Sequence, residues 1–166
     1  MTLPVMVVGA FIAALLETSV LPELTVSGIK PDLVLVITVV VAMVIGFEDG
    51  LVWAVVGGLL VDILTGRPLG ATALGFLLVV GLASLTGRLM GAPRTLVVSS
   101  VTFALALFFQ ALQAAVLTVT AGITPGPLPV QTFLLIALFD AAVAAVAVLA
   151  LRLLLRRFGP EERLEW

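Results

Sequence analysis

Five polar side chains interrupt segments of this chain that are otherwise apolar, and their types could do chemistry. They are three carboxylates and two amides: Glu17, Asp62, Gln110, Gln113 and Asp140. An Asp at the centre of a membrane helix costs about 2.5–3.5 kcal/mol on insertion scales, so each polar group requires a partner or water. Two interpretations stay open. In one, the glutamines and Asp140 hydrogen-bond each other between helices, at about 0.6 kcal/mol per contact, while Glu17 and Asp62 are interfacial. In the other, all five line a water-accessible cavity.

Several kinds of chemistry are excluded by composition. The chain has no cysteine and no histidine, which removes thiol nucleophiles, thiolate and imidazole metal ligands and the most common general base. Asp62 and Asp140 are the one aspartate pair within the apolar runs, and no protease motif surrounds them. No Gly-rich phosphate loop occurs, and eight Lys and Arg residues do not make a nucleic-acid-binding surface. We expect a non-enzyme with no catalytic residue, cofactor, metal or nucleic acid.

The elements that must position these residues are membrane helices. Of the 166 residues, 62% are hydrophobic and 11% are charged, with a mean hydropathy of +1.34. A soluble domain carries roughly twice that charged fraction, so the outer surface of this chain must face lipid. We predict an all-α fold, a polytopic membrane protein with six transmembrane helices in a single integral membrane domain over residues 1–166.

Six apolar runs divide the chain. Their bounds are Leu3–Leu21, Leu33–Phe47, Leu51–Asp62, Ala71–Leu85, Leu96–Thr120 and Thr132–Leu155. No basic residue precedes the first run and no clear cleavage site follows it, so we expect a retained span rather than a signal peptide. The second and third runs are shorter than the ~20 residues of a full span. They form two short spans around a turn at Glu48-Asp49, or one hairpin that does not fully cross, so six full spans and five both fit.

Positive charges lie mainly on one side of a six-span arrangement. One side holds Arg88, Arg94, Arg152, Arg156, Arg157 and Arg163, and the other holds Lys30 and Arg67. The positive-inside rule therefore predicts that both termini are cytoplasmic. The Arg-rich C-terminal segment then acts as a topology anchor or as a docking site for a cytoplasmic partner. In this orientation all five intramembrane polar residues fall in the outer half of the membrane.

Small residues recur at four-residue spacing through the second and third runs. They are Ala42, Gly46, Gly50, Ala54 and Gly58. Small side chains let helix backbones approach closely in lipid, where packing drives helix association. The pattern predicts a helix-packing face, either inside one subunit or against a partner, and the Ala-rich sixth run offers a second such face. Homo-oligomers stay open on the same grounds.

Two short motifs lie between residues 30 and 75. Pro31-Asp32 opens the second run, and the third run ends in Asp62, two apolar residues, a polar residue and Gly66, with Gly70 before the next run. This pattern resembles the MreD family of rod shape-determining proteins, and the five residues match its motif positions. On physical grounds alone, Pro-Asp suits a helix start and the two glycines suit turns with positive φ.

The resemblance implies a component of the bacterial elongation machinery, which maintains rod shape and builds peptidoglycan. MreD-like proteins work beside the bitopic protein MreC and the actin-like MreB, and near the polymerase RodA and its transpeptidase partner. The resemblance also implies a six-helix arrangement similar to the substrate-binding subunits of energy-coupling vitamin transporters, with an outward-facing pocket, by analogy of fold alone. No catalytic role comes with the motif.

We therefore expect a multi-pass plasma-membrane scaffold that binds an MreC-like partner and contacts lipid. The alternative is a vitamin-binding transporter subunit that uses the same outer cavity.

Overall fold

The computed structural model describes residues 3–20, 30–90, 94–121 and 130–158, and the regular structure in these ranges is helical. Six α-helices follow one another: α1 Leu3–Leu15, α2 Leu33–Val44, α3 Phe47–Thr65, α4 Ala71–Met90, α5 Thr95–Ala121 and α6 Val130–Phe158. A π-helical turn, Leu16–Val20, continues α1. The predicted all-α class is confirmed. Residues 21–29 and 122–129, which include most of the connections between the first and second and between the fifth and sixth predicted runs, lie outside the described residues, as does Arg163.

Three of the described helices are long and apolar enough to cross a membrane. The qualifying segments are Ala71–Met90, Thr95–Val116 and Val130–Leu153, and the helices that contain them also contain the last three predicted runs. Two further apolar segments, Pro4–Ser19 and Leu33–Val44, are shorter. The 19-residue α3 carries three acidic residues. The protein is therefore a helical membrane protein.

The shortest of the six helices, α2, is at the centre of the protein. Its 12 residues rise about 18 Å at 1.5 Å per residue, well below the ~30 Å of a hydrocarbon core. Nine of them are buried, and all five other helices pack against it. A helix that is apolar on every face is buried on every face. The sequence Leu33–Val44 is such a pattern, since its one polar residue, Thr38, donates its hydroxyl to the carbonyl oxygen of Val34 in the same helix.

The other five helices surround α2 in the order α1, α3, α4, α5 and α6, each packed on the next. Trp53 on α3 donates its indole N–H to the Sδ of Met6 on α1, at 3.0 Å. At the α5–α6 contact, Arg152 donates to the Oγ1 of Thr95 at 3.3 Å. Between α6 and α1 the ring leaves an apolar groove of about 360 Å³, hereafter the α1–α6 groove, whose floor is α2.

The turn between α2 and α3 differs from the prediction. We expected the acidic pair Glu48-Asp49 to form it, but the turn lies at Ile45-Gly46 and α3 begins at Phe47. Both acids are therefore in the first turn of α3. The partial positive charge at a helix N-terminus favours carboxylates there, so the acidic pair begins a helix instead of forming a loop.

The predicted small-residue face is divided between two helices, because the chain turns at Gly46. A Cβ added to Gly50 would lie 2.7 Å from the Cβ of Ala42, and a Cβ added to Gly58 would overlap the Cα of Ala73. Ala54 is fully buried as well. Gly50, Ala54 and Gly58 therefore let α2, α3 and α4 pack closely within the chain, whereas Gly46 is half-buried in the turn, where an added Cβ would meet nothing within 4 Å.

Candidate binding cavity at the end of the central helix

A cavity of about 390 Å³ lies at the N-terminal end of α2. It follows from helix length: α5 has 27 residues and α6 has 29, so both continue past the end of the 12-residue α2. Pro31, Asp32 and Leu35 contribute the α2 side of the cavity. The π-helical turn, Lys30, Arg67, Thr72 of α4 and parts of α3, α5 and α6 supply the rest of the wall. The short central helix thus leaves a partly open space between the longer helices.

Three carboxylates converge on the first turn of α2. The Val34 N–H donates to Glu17 Oε2 at 2.8 Å, the Leu35 N–H to Asp32 Oδ1 at 2.9 Å, and the Asp32 N–H to Asp140 Oδ1 at 2.8 Å. The first N–H groups of a helix have no partner within the helix. Asp140 lies ten residues into α6, about 15 Å along its axis. This helix start is therefore inside the bundle, where carboxylates take the place of water.

The cavity has acidic groups at one end and basic groups at the other. The carboxyl groups of Glu17 and Asp32 lie near enough to act electrostatically on each other. Lys30 and Arg67 also line the cavity, act electrostatically on Asp32 and are exposed. We call Glu17, Asp32 and Asp140 the acidic floor, and Lys30 and Arg67 the basic rim.

Two glutamines of α5 face the cavity. Gln113 donates through Nε2 to the Oγ1 of Thr72 on α4 at 3.2 Å, and Gln110 donates through Nε2 to the carbonyl oxygen of Phe133 on α6 at 3.4 Å. Each glutamine thus bonds a group other than Asp140. The Oε1 of Gln110 is buried with no hydrogen-bond partner among the described residues. An unsatisfied buried acceptor costs about 1–3 kcal/mol, so this oxygen marks a place for a donor.

Asp62 lies behind the cavity wall and connects two helices. Its carboxylate accepts from the N–H of Gly70 at 2.9 Å and of Thr72 at 3.1 Å, and its side chain is fully buried. Gly66, with a φ of 66°, ends α3, and Gly70 has a φ of 92°. The predicted positive φ of both glycines is confirmed. This motif is therefore a compact α3–α4 connection, in which one helix supplies the N-terminal cap of the next.

Of the five polar residues singled out by sequence, the structure brings four to one cavity: Glu17, Gln110, Gln113 and Asp140. Asp32 is the N-cap of α2, as its position predicted, but its place in the cavity was missed. Lys30, Arg67 and Thr72 were missed too. A signal for the first two was present, since they are the two cations on the predicted outer side.

The arrangement suits noncovalent binding of a polar ligand. Among the described residues, no group of acidic side chains is placed to hold a metal ion, and each acid of the floor already accepts a backbone hydrogen bond. The apolar part of the wall includes Phe109, Phe133 and Ile136. Such a site combines apolar contact with a few polar groups that fix orientation, as small-molecule sites do.

Fold and site together define a class of protein: a helical membrane protein whose buried, short central helix ends at an internal polar cavity. Comparison with known families is more specific, because the profile described as rod shape-determining protein MreD matches residues 1–158 of the 166. The chain belongs to the MreD family, and the resemblance noted from sequence is confirmed. Membership gives it a role in rod shape determination among the proteins of that complex. No curated protein and no solved structure matches it.

Proposed function

We propose that this protein is a non-enzymatic scaffold subunit of the bacterial elongation machinery, and that it binds the single transmembrane helix of an MreC-like partner. The family match over residues 1–158 carries the proposal. The described residues are almost entirely helical, so the surfaces that the bundle offers for such a contact lie mainly within the membrane.

The α1–α6 groove is the surface we propose for the partner helix. Its floor includes Ile37 and Val41 of α2, and its walls include Gly9 of α1 and Ala147 and Ala150 of α6. Small side chains on both walls permit close approach of another helix backbone. The spanning segment of α6 is also the least buried of the three, at 22%. We prefer this surface to the small-residue face of α2 and α3, because Gly50 and Gly58 of that face are in close contact with Ala42 and Ala73 of the same chain.

We further propose six crossings of the plasma membrane with both termini in the cytoplasm. Arg88 lies in the last turn of α4, Arg94 precedes α5, and Arg152 bonds Thr95 at the start of α5. These three cations lie at one end of the bundle, opposite the basic rim, and the positive-inside rule assigns their end to the cytoplasm. A short α2 is compatible with this topology because protein rather than lipid surrounds it. The cavity then opens outward.

Control of peptidoglycan synthesis would follow from the same complex. In this proposal the MreC-like helix is the direct partner, MreB acts on the cytoplasmic side, and RodA with its transpeptidase lies nearby in the membrane. Contacts with lipid cover the exposed apolar faces, and a homo-oligomer is compatible with the scaffold role.

A second candidate is a vitamin-binding subunit of an energy-coupling transporter. The cavity of about 390 Å³ favours it, since small-molecule sites occupy about 300–1,000 Å³. The two functions differ in the molecule that should co-purify with the protein from solubilised membranes. It is a single-span protein in the first case and a soluble vitamin in the second.

Two matched variants of α6 test the scaffold proposal. Ala150→Leu and Ala142→Leu both enlarge an exposed alanine of the same helix, but Ala150 lines the α1–α6 groove and Ala142 lies outside it. In a rod-shaped bacterium depleted of its own MreD, the wild-type chain and Ala142→Leu should restore rods and retain the MreC-like partner in mild detergent. Ala150→Leu should remain monodisperse, lose the partner and give rounded cells.

Retention of the partner by Ala150→Leu at the wild-type level would contradict the groove as the docking surface. Wild-type protein that never retains a single-span partner, but carries a soluble vitamin, would instead support the transporter subunit.

A further inference from the structure

We propose that the cavity at the end of α2 binds a zwitterion, with its cationic hydrogen-bond donor at the acidic floor and its anionic group at the basic rim. This proposal is independent of the scaffold function, because the cavity and the α1–α6 groove have separate linings. Either one can fail without the other.

The size and polarity of the cavity require an occupant. At about 390 Å³, it has room for several water molecules, each of which takes about 30 Å³ in the liquid. Cavities stay dry when their walls are apolar, whereas polar walls hold water or ligand. This wall carries charged groups and two amides, so water or a polar ligand fills the space. A ligand with matching polar groups would displace the water.

The inner end of the cavity calls for a donor with positive charge. Gln110 Oε1 is a buried acceptor without a partner among the described residues. The carboxyl oxygens of the acidic floor line the same cavity and can accept further hydrogen bonds. A primary ammonium group has a positive charge and three N–H donors. It therefore satisfies the amide oxygen and the carboxylates together.

The outer end calls for a negative charge. Lys30 and Arg67 are exposed and line the cavity, and Arg in particular binds carboxylate and phosphate through paired N–H groups. A simple anion in the cavity would meet the acidic floor, and a simple cation would meet the basic rim. A zwitterion matches both ends, and its carbon atoms find apolar contact at Phe109 and Phe133.

This chemistry has two sources, the headgroup of an aminophospholipid and a free zwitterionic solute. Binding of three lipids and one soluble compound shows which groups of the ligand the site requires: the positive charge, the N–H donors or the acyl chains. Phosphatidylethanolamine supplies both charges and N–H donors, whereas phosphatidylcholine has a quaternary ammonium with no N–H. Phosphatidylglycerol has the phosphate without a cation. O-phosphoethanolamine is the soluble counterpart of the first headgroup.

Native mass spectrometry of the full chain, purified in detergent and freed of lipid, measures this selectivity. We expect phosphatidylethanolamine to bind about fivefold more tightly than the other two lipids, the effect of roughly one net hydrogen bond. If O-phosphoethanolamine competes with the lipid, the site accepts a solute, and if it does not, the acyl chains contribute. Both results support the zwitterion. Equal binding of the three lipids with no binding of O-phosphoethanolamine overturns it.

A variant of Gln110 connects this binding to the cavity. Gln110→Leu removes the unpaired acceptor and also the long, 3.4 Å hydrogen bond to Phe133. These two effects oppose each other, so thermal stability should stay about level while phosphatidylethanolamine binding falls about fivefold. If Gln110 served only as a contact between helices, stability would fall and binding would not change. Phe108→Leu on the lipid-facing side of the same helix is the matched control, since Phe108 is 41% exposed. Wild-type binding by Gln110→Leu would overturn the assignment of the site.

Discussion

Removal of the Asp62 carboxylate should uncouple α3 from α4. The side chain is fully buried and accepts from the N–H groups of Gly70 and Thr72. In Asp62→Leu both donors lose their acceptor. In Asp62→Asn one carbonyl oxygen remains, and Thr72 N lies 3.1 Å and 3.2 Å from the two carboxylate oxygens. An amide oxygen in the position of Oδ2 can therefore still accept from both Gly70 and Thr72, but the NH₂ group in the position of Oδ1 then faces the N–H of Thr72.

The magnitude follows from these two donors. An unpaired buried donor costs about 1–3 kcal/mol; Thr72 is buried, while Gly70 is only half-buried and regains part of this through water. We expect Asp62→Leu to lower the free energy of unfolding by about 2–4 kcal/mol and Asp62→Asn by about 1–2 kcal/mol. Glu48→Gln is the control, because Glu48 is exposed in the first turn of α3 and loses only a helix-dipole interaction of about 0.3–1 kcal/mol.

The assay is reversible unfolding in mixed micelles, followed by helical circular dichroism for the three variants and the wild type. The order of stability should be wild type, Glu48→Gln, Asp62→Asn and Asp62→Leu, from highest to lowest. If Asp62→Leu unfolds at the wild-type midpoint, the carboxylate does not hold the connection, and the motif would need another explanation.

Two further predictions concern packing and topology. A Cβ on Gly58 would overlap the backbone of Ala73, whereas a Cβ on Gly81 of α4 meets nothing within 4 Å. Gly58→Ala should therefore lower the unfolding temperature through overpacking of about 1–3 kcal/mol, while Gly81→Ala should leave it level or raise it. Equal effects of the two would refute the close α3–α4 contact. A periplasm-dependent reporter fused after Trp166 should be inactive, and activity there would contradict cytoplasmic termini.

Helix positions were largely readable from sequence because the bilayer requires long apolar runs. The three spanning segments match the last three predicted runs. The position of the turn between the second and third runs was wrong, since Glu48 and Asp49 are equally suited to a surface turn and to a helix N-terminus. The central position of α2 depends on contacts with all five other helices. These partners cannot be read from the run itself, although a run that is apolar apart from Thr38 is typical of a buried helix.

The candidate site was partly predictable for a related reason. Charged and amide groups are rare in apolar runs, so Glu17, Gln110 and Asp140 were visible as exceptions. Their partners were not visible, because the backbone N–H groups of a helix start are the same in every sequence. Asp140 bonds the N–H of Asp32, 108 positions away, and only the tertiary arrangement brings these two together. For Asp62 the sequence left both an interfacial position and the cavity open, whereas its hydrogen bonds assign it to the α3–α4 connection.

Disulfide crosslinking to the partner tests the proposed scaffold function most directly. The chain has no cysteine, so Ala150→Cys and Ala142→Cys each introduce a single thiol on α6. Each is paired with single cysteines moved through the transmembrane helix of the MreC-like partner. We predict crosslinks from Ala150→Cys at partner positions three to four residues apart, as one face of a helix requires, and none from Ala142→Cys. Crosslinks from Ala142→Cys alone, or from neither position while the partner still co-purifies, would contradict docking in the α1–α6 groove.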